Sequence, residues 1–299
     1  MVVDIAYAAA RHFGQRVPSD MLGLLDSWDD VLPVLRHIAK RVDETQPSEG
    51  VYSLDETRLL APIPRPRKII ATLVNTYGML GGGDVEPLKH PRLFMKAPST
   101  VIGPGETILA PPHGVRPEVE LAAVIGHKVR RANVDEAGRA IIGYTIMNDV
   151  TAPRESREDA YEAYRRDPAT GEVRKVRLRG PLFRSKNHDT FTPLGPWITT
   201  VDEVGDVSSL RLITRFNGEI IQEGTTREYI FSPAAIVAFI SGFMTLEPGD
   251  VVSAGTVGWV AAELGGSDPS EWVLPKNEGI LELEIERIGV LRNPVRPEV

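Results

Sequence analysis

The chain contains no cysteine in its 299 residues. Disulfides, thiolate nucleophiles and cysteine-ligated zinc are therefore excluded. It also lacks an excess of basic charge: 34 lysines and arginines stand against 41 aspartates and glutamates, for a formal net charge of -7. That balance gives no electrostatic reason to expect nucleic acid or an anionic membrane as partner. No run approaches the roughly 20 consecutive apolar residues that a membrane helix needs. The opening MVVDIAYAAARHFGQRV carries an aspartate and two arginines where a signal peptide would hold an unbroken apolar stretch. The expectation is a cytoplasmic protein. What remains is an ordinary globular composition, 42% hydrophobic and 25% charged, long enough for one large core or a large domain with a small appendage.

Residues 1–62 read as a small helical region. Met21, Leu22, Leu24, Leu25, Trp28, Val31, Leu32 and Leu35 recur at helical spacing, with Ser19 or Asp20 placed to cap the start. The stretch APIPRPRK at 61–68 has prolines at alternate positions, which hold the chain extended and mark a boundary or strand entry. Residues 63–299 alternate short aliphatic runs with Gly/Pro turns, among them KIIATLV, ELAAVIGHKV, IIGYTIM and ILELEIERIGVL, as strands of a β-rich domain do. Residues 134–142 and 232–243 interrupt them as helices, the second with Ser232 as cap and Pro233 at its first position. The fold class is α+β. Residues 154–188 form a basic excursion whose Pro-Ala-Thr-Gly turn between charged flanks predicts a protruding hairpin, read as a solvated surface, a substrate lid or a dimer contact.

The string RPEVELAAVIG at 116–126 places Glu118 and Glu120 on one face of a strand, where like charges repel unless solvent or a cation compensates. Asp149 ends another strand-like run. Carboxylates alone suit a hard cation such as Mg²⁺, Mn²⁺ or Ca²⁺. From spacing alone, Glu-x-Glu on a strand is usually a solvated face, with metal binding the other open reading.

From these residues onward the sequence resembles the fumarylacetoacetate hydrolase superfamily. The resemblance is carried in order by FMKAPSTVIGPGE (94–106), PEVELAAVIG (117–126), GYTIMNDVTAP (143–153), KNHDTFTPLGPWI (186–198), NGEIIQEGTT (217–226), FMTLEPGDVVSAGT (243–256) and ELEIERIGVLRNPV (282–295). Several of these pieces are most similar to the 2-hydroxyhepta-2,4-diene-1,7-dioate isomerase and homoprotocatechuate-pathway decarboxylase branch. The resemblance implies a β-sheet roll holding one Mg²⁺ or Mn²⁺, usually in a homodimer, with a small 2-oxo acid as substrate. It implies Glu118, Glu120 and Asp149 as metal ligands and Lys186 as the group that moves protons, with a pKa lowered toward neutrality. On its own, Lys186 would read as a loop lysine paired with Asp189. The resemblance also implies Lys96, Gln222 and Thr256 as pocket residues, with the Gly255 backbone beside Thr256. The family's arginine four residues after the third ligand is Pro153 here, which leaves Arg154 as the neighbouring candidate for that carboxylate contact.

Hydrolytic members carry Asn-Tyr-x-x-His-x-x-Glu on a lid. Counting from Asn75, the histidine position is Met79 and the glutamate position is Gly82, in a stretch that ends in the triple glycine 81–83. A thioether is no general base and glycine has no side chain. The expectation is an isomerase or decarboxylase of an unsaturated 2-oxo or 2-hydroxy dicarboxylate. The alternatives are an acylpyruvate-type C–C hydrolase using another base such as His90, and a homologue that binds metal and 2-oxo acid without turnover.

Overall fold

Local sequence sets the ends of the first elements. Strand β1 (Val2–Val3) leads into helices α1 (Ile5–Phe13), α2 (Met21–Asp26) and α3 (Trp28–Thr45), followed by strand β2 (Val51–Tyr52), which pairs back onto β1. Asp4 caps α1 by accepting from the Tyr7 N–H at 2.9 Å, and Gly14 ends it at a φ of 63° that glycine adopts without a Cβ penalty. Asp20, not Ser19, caps α2, accepting from Gly23 N–H at 3.0 Å. The computed structural model describes residues 1–45, 49–80, 86, 88–259 and 271–298.

Beyond the proline-spaced stretch the chain runs through β3 (Ile69–Leu73), β4 (Arg92–Lys96), β5 (Val101–Ile102), β6 (Ile108–Ala110) and β7 (Val119–Ile125). Next come α4 (Val134–Ala140), β8 (Ile141–Asn148), α5 (Pro153–Glu158), β9 (Tyr161–Arg166), β10 (Val173–Leu178) and α6 (Phe183–Lys186). The last part comprises β11 (Thr192–Thr200), α7 (Val201–Val204), β12 (Arg211–Phe216), β13 (Glu219–Thr225), α8 (Pro233–Ser241), β14 (Val251–Thr256), β15 (Gly279–Ile285) and β16 (Gly289–Pro297). Asn133 caps α4 in a reciprocal capping box with Glu136, and Ser232 caps α8 as its sequence implies. The β12–β13 hairpin turns on Asn217 and Gly218, both at positive φ, as a tight two-residue turn requires.

Two sheets hold the core, so the protein is α+β and sheet-rich. One has seven strands in the order β4-β3-β14-β7-β8-β11-β5, and the other five in the order β13-β12-β15-β16-β6. Alternation along β7 divides the interior between them. Val119, Leu121, Ala123 and Ile125 join Leu212, Leu281 and Leu283 of the five-stranded sheet. Ala122 and Val124 point the other way, into a cluster with Ile69, Met147 and Leu25 of α2. The N-terminal helices are thereby docked on the outer face of the larger sheet. Glu118 and Glu120 share the parity of Ala122 and Val124. The basic excursion forms its own antiparallel pair, β9 with β10, registered from Tyr161↔Leu178 to Val173↔Arg166 and largely exposed.

Candidate metal centre and active site

Pairing between β7 and β8 brings the acidic residues together. Val119 lies opposite Asn148, and the Asp149 N–H donates to the Glu118 carbonyl at 3.0 Å, so the two residues sit side by side at the strand ends. On the other side of β7, β14 sets Thr256 opposite Glu120. Carboxylate oxygens of Glu118, Glu120 and Asp149 lie within 4.8 Å of one another, and all three side chains are buried. The solvated strand face is thereby excluded.

Cations surround this cluster unevenly. Lys96, fully buried at the end of β4, donates to Asp149 Oδ1 at 2.6 Å and to the Lys186 carbonyl at 2.8 Å. Lys186, at the end of α6, donates to Glu118 Oε2 at 2.8 Å and to Asp149 Oδ2. Asp189 is not its partner. Arg116 forks onto Glu118 Oε1 at 2.8 and 3.1 Å and lies 4.9 Å over the Trp259 ring. Glu120 accepts only from the Ser253 hydroxyl among the described residues.

Burial pushes the Glu120 carboxyl well above the usual range, and the neighbouring charges of Asp149 and Glu118 add to this. Burial would raise Asp149 as well, but Lys186 and Lys96 outweigh it and hold that carboxyl below its ordinary value. Burial, assisted by the charge of Lys186, lowers Lys96. Burial alone does not lower Lys186 as expected. Desolvation acts in that direction, but the attraction of Asp149, Glu118 and Glu120 is stronger and holds its pKa above that of a free lysine. An all-oxygen set in which one carboxylate, Glu120, forms no ion pair with a described residue fits a hard divalent ion.

A cavity of about 530 Å³ opens over the cluster. Phe94, Arg116, Lys186, Thr256 and Trp259 are among its walls, together with Met79. Gly82 and the rest of the triple glycine lie outside the described residues. Val74, also in the wall, takes a left-handed φ of 56°, a costly conformation for a β-branched residue. Asn75 fixes the chain there, donating to the Phe231 and Ala254 carbonyls at 2.8 Å and accepting from Phe231 N–H at 2.9 Å.

Other expected substrate contacts fall elsewhere. Gln222 is fully buried, and its amide is consumed internally. Its oxygen accepts from Val119 N–H at 3.2 Å and Thr214 at 2.8 Å, while its nitrogen donates to Thr256 Oγ1 and the Val257 carbonyl, each at 3.1 Å. It positions Thr256 rather than facing the cavity. The Gly255 N–H donates to Ser253 Oγ at 3.2 Å, and the Gly255 carbonyl accepts from Tyr229. Arg154 turns outward on α5 to Glu158 at 2.9 Å and is not part of the cavity wall, because the helix that starts at Pro153 presents Pro153 and Ser156 there instead. His90 stacks on Phe239 at 5.5 Å and does not line the cavity.

Sequence reasoning missed a second polar knot. Buried Glu155 of α5 is hydrogen-bonded to His188 Nε2 at 2.7 Å and lies 3.4 Å from His113 Nε2, a charge contact without a hydrogen bond. It thus ties the helix carrying Pro153 and Ser156 to the turn after Lys186 and to the loop before Arg116. Glu155→Ala is expected to cost about 2 kcal/mol, the scale of a hydrogen bond to a charged group, and to lower Tm by about 5 °C in thermal unfolding. An unchanged Tm would mean that this carboxylate holds nothing in place.

The sequence pattern of the family described as fumarylacetoacetate (FAA) hydrolase, C-terminal, matches residues 68–296. The mitochondrial oxaloacetate tautomerase FAHD2A of Bos taurus is 32% identical over 285 residues, covering 95% of this chain and 82% of its own. Among solved structures, 2-hydroxyhepta-2,4-diene-1,7-dioate isomerase of Mycobacterium marinum superposes with a TM-score of 0.63 at 31% identity, covering 84% of this chain and 82% of that one. Maleylpyruvate hydrolase of Sphingobium sp. SYK-6, in complex with manganese(II) ion and pyruvate, gives 0.66 at 25% identity, covering 93% and 86%. With matches of this extent and a buried carboxylate triad at the strand ends, the chain belongs to the fumarylacetoacetate hydrolase family.

Proposed function

We propose that the protein is a divalent-metal-dependent isomerase that interconverts keto and enol tautomers of a 2-oxo dicarboxylic acid. The observation that carries this reading is the position of Lys186. Among the described residues it alone combines a titratable amine, an opening onto the cavity and direct hydrogen bonds to the Glu118 and Asp149 carboxylates. Glu118, Glu120 and Asp149 would hold Mg²⁺ or Mn²⁺. When bound, the ion would supply Lewis acidity toward the 2-oxo acid, and it would compete with Lys186 for the carboxylates that hold the amine protonated.

The chain's own groups do the rest. As the neutral amine, Lys186 Nζ takes the proton from the carbon next to the keto group, breaking C–H, and the keto oxygen takes a proton from solvent water, forming O–H, while Lys186 returns its proton to solvent; the reverse reaction retraces these transfers. Thr256, oriented by Gln222, offers its hydroxyl to a substrate oxygen. Phe94, whose ring lies 5.2 Å from Lys186 Nζ, excludes water from one side of the amine. Water activation at the family's hydrolytic position is unsupported, since Met79 stands there.

The tautomerase and isomerase names of the relatives support proton transfer. They also make oxaloacetate and 2-hydroxyhepta-2,4-diene-1,7-dioate the first acids to try. Decarboxylation of such acids and a homodimer rest on resemblance. No helix among the described residues is long and apolar enough to cross a membrane.

The test follows enol oxaloacetate by its ultraviolet absorbance as it ketonises, with Mg²⁺ or with EDTA and against protein-free controls. Acceleration of about 10²-fold or more is expected with Mg²⁺, the scale of positioned acid–base catalysis, and is lost with EDTA. Mass spectrometry of the products separates tautomer from CO₂ release. Ketonisation of both acids at the protein-free rate in Mg²⁺ and in Mn²⁺ would sink the reading.

A further inference from the structure

Among the described residues three cationic side chains line the cavity: Arg116, Lys186 and Arg179. The first two are bound to carboxylates of the acidic cluster. Arg179 makes no hydrogen bond or ion pair with any described residue. Its neighbours contrast with it. In the same basic excursion, Arg154 and Arg184 bind Glu158, Arg174 binds Glu172 and Lys175 binds Glu162. Arg165 and Arg177 are also without an ion pair among the described residues, but neither lines the cavity, so the unpaired charge that the excursion brings to it is that of Arg179.

Placement of this residue is built into the fold. Arg179 directly follows β10, and the next residue, Gly180, is buried against α5: a Cβ there would meet the Asp159 carbonyl oxygen at 2.0 Å and its carbon at 2.4 Å. Such contact requires glycine and clamps the foot of the hairpin against the end of α5. The arginine is thereby held at the exposed rim of the cavity, while the carboxylate cluster is buried at its base. At about 530 Å³ the space exceeds what a four-carbon acid fills.

We infer that Arg179 is a specificity-determining residue that binds the distal carboxylate of a 2-oxo dicarboxylate longer than oxaloacetate. This rests on the reading that the acidic cluster takes the 2-oxo acid end. The planar guanidinium matches a carboxylate with two parallel N–H bonds, and with no competing internal partner it loses nothing by engaging one. A monoacid of equal length would leave it unpaired.

The experiment compares 2-oxoadipate with 2-oxohexanoate in Mg²⁺. Deuterium exchange at C3, followed by NMR, gives KM and kcat; calorimetry gives Kd. Wild type is expected to prefer the diacid in KM and Kd by about tenfold, one carboxylate–guanidinium contact near a surface. Arg179→Ala abolishes that preference and Arg179→Lys restores part of it. Arg165→Ala, on the same hairpin but away from the cavity wall, keeps it. Equal binding of the two acids by wild type, or a preference that survives Arg179→Ala, overturns the inference. If neither acid exchanges deuterium but the diacid still binds more tightly through Arg179, the specificity stands and the isomerase reading fails.

Discussion

Replacing Asp149 with alanine is expected to lower the unfolding free energy by about 3–5 kcal/mol, the cost of stranding buried charge, and to abolish divalent-ion binding. Asp149 is the carboxylate between two buried ammonium groups: Lys96 is bonded to one oxygen at 2.6 Å and Lys186 to the other. Without it, Lys96 keeps only the Lys186 carbonyl among the described residues, while Lys186 keeps Glu118. The burial that already depresses the Lys96 pKa then acts almost unopposed. Urea unfolding reads the stability and titration calorimetry with Mn²⁺ reads the metal. A change below about 1 kcal/mol, the range of an exposed ion pair, would show that the pair is not desolvated as described. Combining Lys96→Met with Asp149→Leu separates the two effects. It removes both charges and fills the space with apolar atoms, so stability returns while metal binding does not.

What the sequence discloses of this site follows the reach of local rules. Glu118 and Glu120 share a face because strand side chains alternate, and Asp149 joins them because β7 and β8 are neighbours in register. Alternation is written in the chain, whereas the register became legible through the family resemblance. Lys96 and Lys186 were legible as residues but not as a charge network. The direction of the Lys186 pKa depends on how many carboxylates surround it once burial is fixed, and no local pattern counts those. Arg154 shows the same limit from the other side. A position adjacent to a family arginine is one residue away in sequence but about 100° away around a helix, enough to send the side chain to Glu158.

The fold divides similarly. Caps such as Ser232 on α8 and the strand runs were readable because each depends on a few neighbouring residues. The knot of Glu155, His188 and His113 was not readable: three polar residues in separate segments carry no periodic signal, and only packing shows that they meet. Gln222 sits between these cases. Its identity was a clue, but four internal hydrogen bonds make it a brace for Thr256.

Lys186→Met is the variant expected to separate chemistry from architecture most widely. C3 deuterium exchange on a 2-oxo acid falls by about 10²–10⁴-fold, the usual contribution of a positioned acid–base group. The fold survives, because each carboxylate that Lys186 touches has another cation: Arg116 stays on Glu118 at 2.8 Å and Lys96 on Asp149 at 2.6 Å. Methionine replaces the stem in similar volume beside Phe94, so no cavity is left. Metal affinity moves opposite to turnover. An ammonium that no longer competes for Glu118 and Asp149 leaves those oxygens to the ion, so Mn²⁺ binds at least as tightly as in wild type. Exchange within tenfold of wild type would remove Lys186 from the chemistry and leave it as a counter-charge. Weakened Mn²⁺ binding would show instead that the lysine organises the carboxylates for the metal.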